Sequence, residues 1–244
     1  MIRVAGFSKK YGEFAAVRDL DFEVRPGSIL GLVGANGAGK TTTLRTLSGI
    51  VAPTTGRLSI AGHDILNDSV RAKLSLGYIP DDPRLFDTLT VWEHLAFTAA
   101  AYRVAEFEAT AESLLQLFEL SAKRDTPAHS LSRGMRQKVA IACAYLHTPK
   151  ALLFDEPLTG LDPQGIQTIQ TSLREKARDG TAVVISSHLL SLVEELCTHV
   201  LVLDHGQCLW FGPIEQALQM SAGASDTTSL EEAFFRLTGR GGQE

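Results

Sequence analysis

The sequence predicts an α/β fold with a mixed sheet, an antiparallel β flank and an inserted all-helical subdomain. Three observations predict it. Short apolar runs alternate with segments of helical periodicity along most of the chain. Turn residues crowd the first, second and fourth of those runs, which marks the antiparallel flank. Between residues 81 and 150 no strand-like run occurs at all.

Strands are expected over residues 2–7, 21–24, 28–33, 57–61, 76–79, 151–154, 182–186, 200–203 and 207–211, each short and apolar. After the third run, Leu44, Leu47, Ile50 and Val51 recur at helical intervals. The strandless stretch reads as helices over 91–102, 105–120 and 132–147. In the last, Met135, Val139, Ala142 and Leu146 follow the spacing of one helix face. A final helix over 229–237 is capped by Ser229, with Glu232 three positions on. The expected organisation is one domain over 1–220, with its core in 1–80 and 149–220 and the helical subdomain in 81–148, then a tail over 221–244.

Composition narrows the function classes. A net charge of −5 argues against a nucleic-acid partner that is held by neutralising its phosphates. No basic run would dock on anionic lipid. Cys143, Cys197 and Cys208 are odd in number and unclustered, so neither a disulfide framework nor a thiolate metal site is expected, and a reducing compartment fits. No apolar run approaches the ~18 residues that span a bilayer, and the N-terminus lacks a signal-peptide pattern. If the protein works at a membrane, another chain must cross it.

The most specific motif follows the strand at 28–33: Gly34, Ala35, Asn36, Gly37, Ala38, Gly39, Lys40, Thr41, Thr42. It reads G-x-x-x-x-G-K-T, a phosphate-binding loop. The glycines let the chain curl so that successive N–H groups point into one concavity. Lys40 reaches the β- and γ-phosphates, and the Thr41 hydroxyl can take a place on magnesium. A glycine-rich turn would explain the glycines but not Lys-Thr after them, nor strand before and helix behind. The core is therefore of the P-loop NTPase type, binding a nucleoside triphosphate with its phosphates at a helix N-terminus.

Two further segments carry chemistry. The run at 151–154 ends in Asp155 and Glu156, adjacent carboxylates that repel unless a metal or a proton transfer uses them. Asp155 is expected to act on magnesium and Glu156 to polarise an attacking water, although a strand running into an Asp-Glu-Pro turn would read alike. Leu131, Ser132, Arg133 and Gly134 precede the amphipathic helix. Ser132 is a good N-cap, and its hydroxyl, the Gly134 N–H and the helix N-terminus also favour a phosphate.

In that order, the phosphate loop, the Leu-Ser-x-Gly segment at 131–134 and Leu-Leu-Phe-Asp-Glu-Pro at 152–157 resemble the ATP-binding-cassette (ABC) ATPases over nearly the whole chain. The resemblance implies ATP and Mg²⁺ as ligands and assigns further roles. Tyr11 matches the aromatic that stacks on adenine, though alone it would pass for an edge-strand aromatic. Gly160, Leu161 and Asp162 resemble the loop that communicates across a dimer; Asp162 and Pro163 would equally make an N-cap and first helical residue. His188, one of 7 histidines, matches the switch histidine at the γ-phosphate and sits where α/β sheets place their ligands. The resemblance further implies head-to-tail pairing with a second cassette, as a homodimer or heterodimer, in which Ser132 and Gly134 close over the partner's ATP.

Two segments depart from the family pattern. Asp81, after Gly77, Tyr78, Ile79 and Pro80, aligns with a usual glutamine, and is expected to keep a role on the metal with steeper magnesium dependence. In the 131–137 segment, Arg133 and Met135 stand where glycine and glutamine are commoner. The resemblance favours the ATPase subunit of a transporter, peripheral on the cytoplasmic face of the membrane through an integral permease. Its Pro-Asp-Asp-Pro segment at 80–83 and its C-terminal segment resemble exporter cassettes for drugs, antibiotics or hydrophobic compounds. The alternative is a soluble cassette of the iron–sulfur assembly kind, uncoupled to transport. A non-hydrolysing regulator is disfavoured because Glu156 and His188 are both present.

Overall fold

The computed structural model describes residues 1–221 and 229–239. The chain opens with a hairpin in which β1 (Ile2–Tyr11) and β2 (Phe14–Val24) pair antiparallel from Ile2↔Val24 to Tyr11↔Phe14. Both strands run further than their apolar patterns at 2–7 and 21–24. Register shifts between Val4 and Phe7, Phe7 and Lys9, and Lys9 and Lys10 break the period-2 alternation that a sequence reading depends on.

β3 (Ile29–Val33) leads through the glycine loop into α1 (Lys40–Leu47). The helix ends at Ser48 and the left-handed Gly49, so Ile50 and Val51 lie beyond it, and Ile50 is exposed. β4 (Thr55–Ile60), β5 (His63–Asp64), α2 (Ser69–Leu74) and β6 (Leu76–Ile79) follow.

From there to β7 the regular structure is helical. α3 (Val91–Tyr102) starts on a capping box: Thr90 Oγ1 accepts from the Glu93 N–H at 3.1 Å, and the Glu93 carboxylate accepts from the Thr90 N–H at 2.7 Å. α4 (Glu108–Leu117) is shorter than the expected 105–120. Glu106 and Glu119 both take positive φ, and these left-handed residues bracket the helix. α5 (Arg133–Leu146) has Ser132 as its N-cap, accepting from the Met135 N–H at 3.2 Å. Val139, Ala142 and Leu146 on its expected apolar face are buried, and Met135 packs partly buried beside them.

β7 (Ala151–Asp155), α6 (Pro163–Arg178), β8 (Ala182–Ser187), α7 (Leu190–Leu196), β9 (His199–Asp204) and β10 (Gln207–Pro213) complete the core, followed by α8 (Ile214–Ser221) and α9 (Leu230–Thr238). Ser229 caps α9 by accepting from the Glu232 N–H at 3.2 Å. Residues 222–228 and 240–244 of the expected tail lie outside the described residues. The short helices α2, α7 and α8, with 6, 7 and 8 residues, offer at most about two turns of periodicity and escape a sequence reading.

Two sheets result. One is antiparallel, ordered β2-β1-β4-β5. The other is mixed, ordered β10-β9-β3-β8-β7-β6, with only the β9–β10 pair antiparallel. Alternate residues of the central strands enter different cores. Ile29, Val33, Leu152, Phe154, Val183, Ile185, Val200 and Val202 join the cluster with the helices α3 to α7. Leu30, Leu32, Leu153, Val184 and Leu201 join the cluster with α1 and the antiparallel sheet. A strand buried on both faces must be apolar at every position, which is why these runs show no alternation. The parallel strands β3, β7 and β8 end side by side, and their C-terminal ends carry the site.

Candidate active site

Gly39 shapes the loop after β3. It takes φ of 108°, and a Cβ there would lie 2.7 Å from the Ala16 carbonyl oxygen, so no side chain fits. Lys40 follows as the first, buried residue of α1. Its Nζ donates to the Gly34 carbonyl at 2.7 Å and the Ala35 carbonyl at 3.4 Å. Burial pushes the Lys40 pKa below the ordinary lysine value, and the charges of Glu156 and Asp155 oppose that shift.

The two adjacent carboxylates have separate partners. Asp155 Oδ1 accepts from Thr41 Oγ1 at 3.1 Å and from Ser186 Oγ at 2.8 Å. Glu156 lies 3.8 Å from Lys40 Nζ through Oε1 and 2.8 Å from His188 Nδ1 through Oε2. Its backbone is left-handed, with φ of 48°, a conformation that costs a non-glycine residue about 1–3 kcal/mol. The Glu156 N–H donates to Ser186 Oγ at 3.0 Å, which holds that strained residue in place. Ser186 thus ties the Asp155 carboxylate and the Glu156 backbone to the end of β8, where it pairs with Asp155.

A cleft of about 360 Å³ gathers most of the expected residues: Tyr11, the loop from Ala35 through Asn36, Gly37, Ala38, Gly39 and Lys40 to Thr41 and Thr42, then Asp81, Asp155 and Glu156. Gly34 joins through its carbonyl on Lys40, and His188 through Glu156. Ser132 and Gly134 do not line this cleft. Gly134 instead sits against the segment at 160–161, where a Cβ would come within 3.2 Å of the Gly160 carbonyl oxygen. The Asp162 side chain accepts from the Gly165 N–H at 2.6 Å and caps α6, with Pro163 in its first turn.

The donor set suits magnesium. Thr41 Oγ1 and Asp155 Oδ1 are hard oxygen ligands already in contact at the phosphate end of the cleft, and this ion takes few protein ligands besides phosphate and water. Asp81 lines the same cleft, with its Oδ1 accepting from Arg133 Nη2 at 3.0 Å.

Three contributors escaped the sequence reading. Phe14 lines the cleft with Tyr11, its direct partner at the hairpin end, and both aromatics stand exposed. The signal was present as two aromatics flanking a Gly-Glu turn. Ser186 was visible only as a polar end to an apolar strand. The Arg133 contact with Asp81 spans 52 positions and leaves no local trace.

The family model described as "ABC transporter" matches residues 17–159. The Nod factor export ATP-binding protein I of Ralstonia nicotianae is 36% identical over 209 residues, covering 85% of this chain and 65% of that protein. The linearmycin resistance ATP-binding protein LnrL of Bacillus subtilis is 31% identical over 214 residues, covering 87% of this chain and 69% of that protein. The chain therefore spans about two thirds of the length of these two curated relatives. A solved structure described as the ATP binding subunit of an ABC transporter superposes with a TM-score of 0.91 at 32% identity, over 98% of this chain and 99% of that one. By these matches the chain belongs to the ABC transporter family as one of its ATP-binding cassettes, a P-loop ATPase.

Proposed function

We propose that this chain hydrolyses ATP to drive export of a drug-like, antibiotic or hydrophobic compound through a separate integral membrane permease. One observation carries the catalytic part: a single cleft brings Lys40, Thr41, Asp155 and Glu156 together, with His188 bonded to Glu156. Lys40 binds the β- and γ-phosphates, and Tyr11 stacks on the base. Thr41 and Asp155 would hold magnesium, which would neutralise charge on the phosphate oxygens. Glu156 accepts the proton of the attacking water, and His188 orients that carboxylate and contacts the γ-phosphate.

Ser132 and Gly134 lie away from the chain's own cleft, which supports completion of each site by a second cassette, identical or similar, packed head to tail. ATP then joins the two protomers, and its hydrolysis removes the γ-phosphate that both hold. The segment 81–148 acts as a helical subdomain moving against a core of 1–80 and 149–220.

For the permease, an apolar groove of about 280 Å³ runs beside the Asp81 segment, lined by Pro83, Leu85, Phe86, Phe97 and Tyr102 among others. Phe86 and Phe97 are exposed and meet edge to face at 5.3 Å. Such a groove suits a short amphipathic helix. Among the described residues no helix is long and apolar enough to cross a membrane. In this reading the groove is the contact that holds the chain at the inner face of the cell membrane. The export direction is supported by the names of the two relatives, one an export and one a resistance protein.

The test is purification of the tagged chain from native membranes in mild detergent, with ATPase assay of the preparation. The expected result is ATP turnover together with a stoichiometric polytopic membrane protein. Turnover with only soluble partners would overturn the transport reading.

A further inference from the structure

Asp81 and Arg133, two of the positions at which this chain departs from its family pattern, touch each other. Arg133 Nη2 donates to Asp81 Oδ1 at 3.0 Å, joining the first residue of α5 to the segment that follows β6. The stem of Arg133 lies along Gly160, whose ideal Cβ would be 3.3 Å from Arg133 Cδ. The guanidinium is therefore aimed by packing as well as by charge. Arg133 and Asp81 are 45% and 51% exposed, and an ion pair so open to water adds little to stability. Its consequence lies in where it puts charge.

Asp81 lines the cleft that also holds Asp155 and Glu156. Lys40 is the cation among the residues lining it. A third carboxylate there works against a polyanion, and most strongly before a metal ion is bound. A glutamine at this position would add no such charge. Arg133 supplies the missing positive charge from outside the cleft wall, bonded directly to the offending carboxylate.

We propose that Arg133 is the counter-ion and positioning residue of Asp81. It fixes that carboxylate at the cleft wall and cancels the repulsion that an incoming triphosphate would meet, so that the two departures act as one compensated pair. The inference rests on the reading of the cleft as a nucleotide site, and it goes beyond it by giving Arg133 a task within its own protomer.

The test is a double-mutant cycle read by equilibrium binding rather than by turnover. ATP is titrated in the presence of EDTA, and again with excess Mg²⁺, into the full chain and into Arg133→Met, Arg133→Lys, Asp81→Asn and the Asp81→Asn/Arg133→Met double variant. Without metal, Arg133→Met is expected to weaken ATP binding about three- to fivefold, on the order of one exposed charge contact, and Arg133→Lys to recover most of it. In the Asp81→Asn background, removing Arg133 is expected to change affinity less than twofold, because no carboxylate is left to neutralise. With excess Mg²⁺ the Arg133→Met defect is expected to shrink. An equal loss from Arg133→Met in both backgrounds, or no loss in either, overturns the pairing. A Lys40→Met control separates the two levels: if it binds ATP as tightly as the unaltered chain, the nucleotide site itself is misplaced, whatever Arg133 does.

Discussion

His188 Nδ1 lies 2.8 Å from one oxygen of Glu156, while the other oxygen of that carboxylate faces Lys40 Nζ at 3.8 Å. The proposed general base is therefore held between an imidazole from the end of β8 and the lysine of the phosphate loop. Its left-handed backbone is pinned by Ser186. Three segments far apart in sequence set the direction in which one carboxylate points, and that direction is what a water-activating base requires.

Replacing Glu156 with glutamine keeps the shape and removes the base. Steady-state phosphate release is expected to fall by at least about a hundredfold, with ATP affinity held within a few-fold. The protein should remain paired with a second cassette in the presence of ATP. Full turnover in this variant would show that the base lies elsewhere.

Tyr11 and Phe14 form an exposed aromatic pair at the mouth of the cleft. Truncation of either to alanine is expected to lower ATP affinity, by about tenfold for Tyr11, since stacking on a base contributes roughly 1–3 kcal/mol. The effect of Phe14→Ala should be smaller, and inorganic triphosphate should bind both variants normally. Calorimetry with the two ligands distinguishes base contact from loop damage.

Gly31 is a glycine of close approach. A Cβ there would lie 2.3 Å from Val193 Cγ1 of α7. Gly31→Ala is expected to destabilise the fold by about 1–3 kcal/mol through overpacking. Adding Val193→Ala should return part of that loss, because the clashing methyl is gone. Urea unfolding of the two single variants and the double variant measures the coupling, and strictly additive effects would count against the contact.

His147 predicts a pH dependence of stability. It is half-buried and stacks on Tyr102, with ring centroids 3.8 Å apart. Burial pushes its pKa below the ordinary histidine value, while the carbonyls of Leu76 and Cys143 oppose the shift. A base with a lowered folded pKa binds fewer protons folded than unfolded, so stability declines as pH falls from about 6.5 toward the folded pKa. His147→Phe keeps an aromatic ring and removes the titration. Between pH 7.5 and 5.5 its unfolding midpoint is expected to drop less than that of the unaltered chain; equal drops would refute the assignment.

The phosphate loop, the carboxylates after the sixth apolar run and the N-cap at Ser132 were legible because each is a local pattern, a few residues whose chemistry is set by immediate neighbours. The β1–β2 hairpin was half legible, since its bulges scramble the alternation that marks a strand. Helix α4 was overrun at both ends because nothing in its composition announces that Glu106 and Glu119 turn left-handed.

The amino-acid sequence by itself determined the alternation of strands and helices, the loop that can cradle phosphate and the kinds of side chain available for chemistry. Only the tertiary structure decided that Phe14 shares the cleft with Tyr11, that Ser186 clamps Asp155 and Glu156 together, and that Asp81 meets Arg133. The physical reason is range. Periodicity and capping act over a few residues, whereas strand order and helix docking bring together groups whose separation along the chain carries no record of the contact.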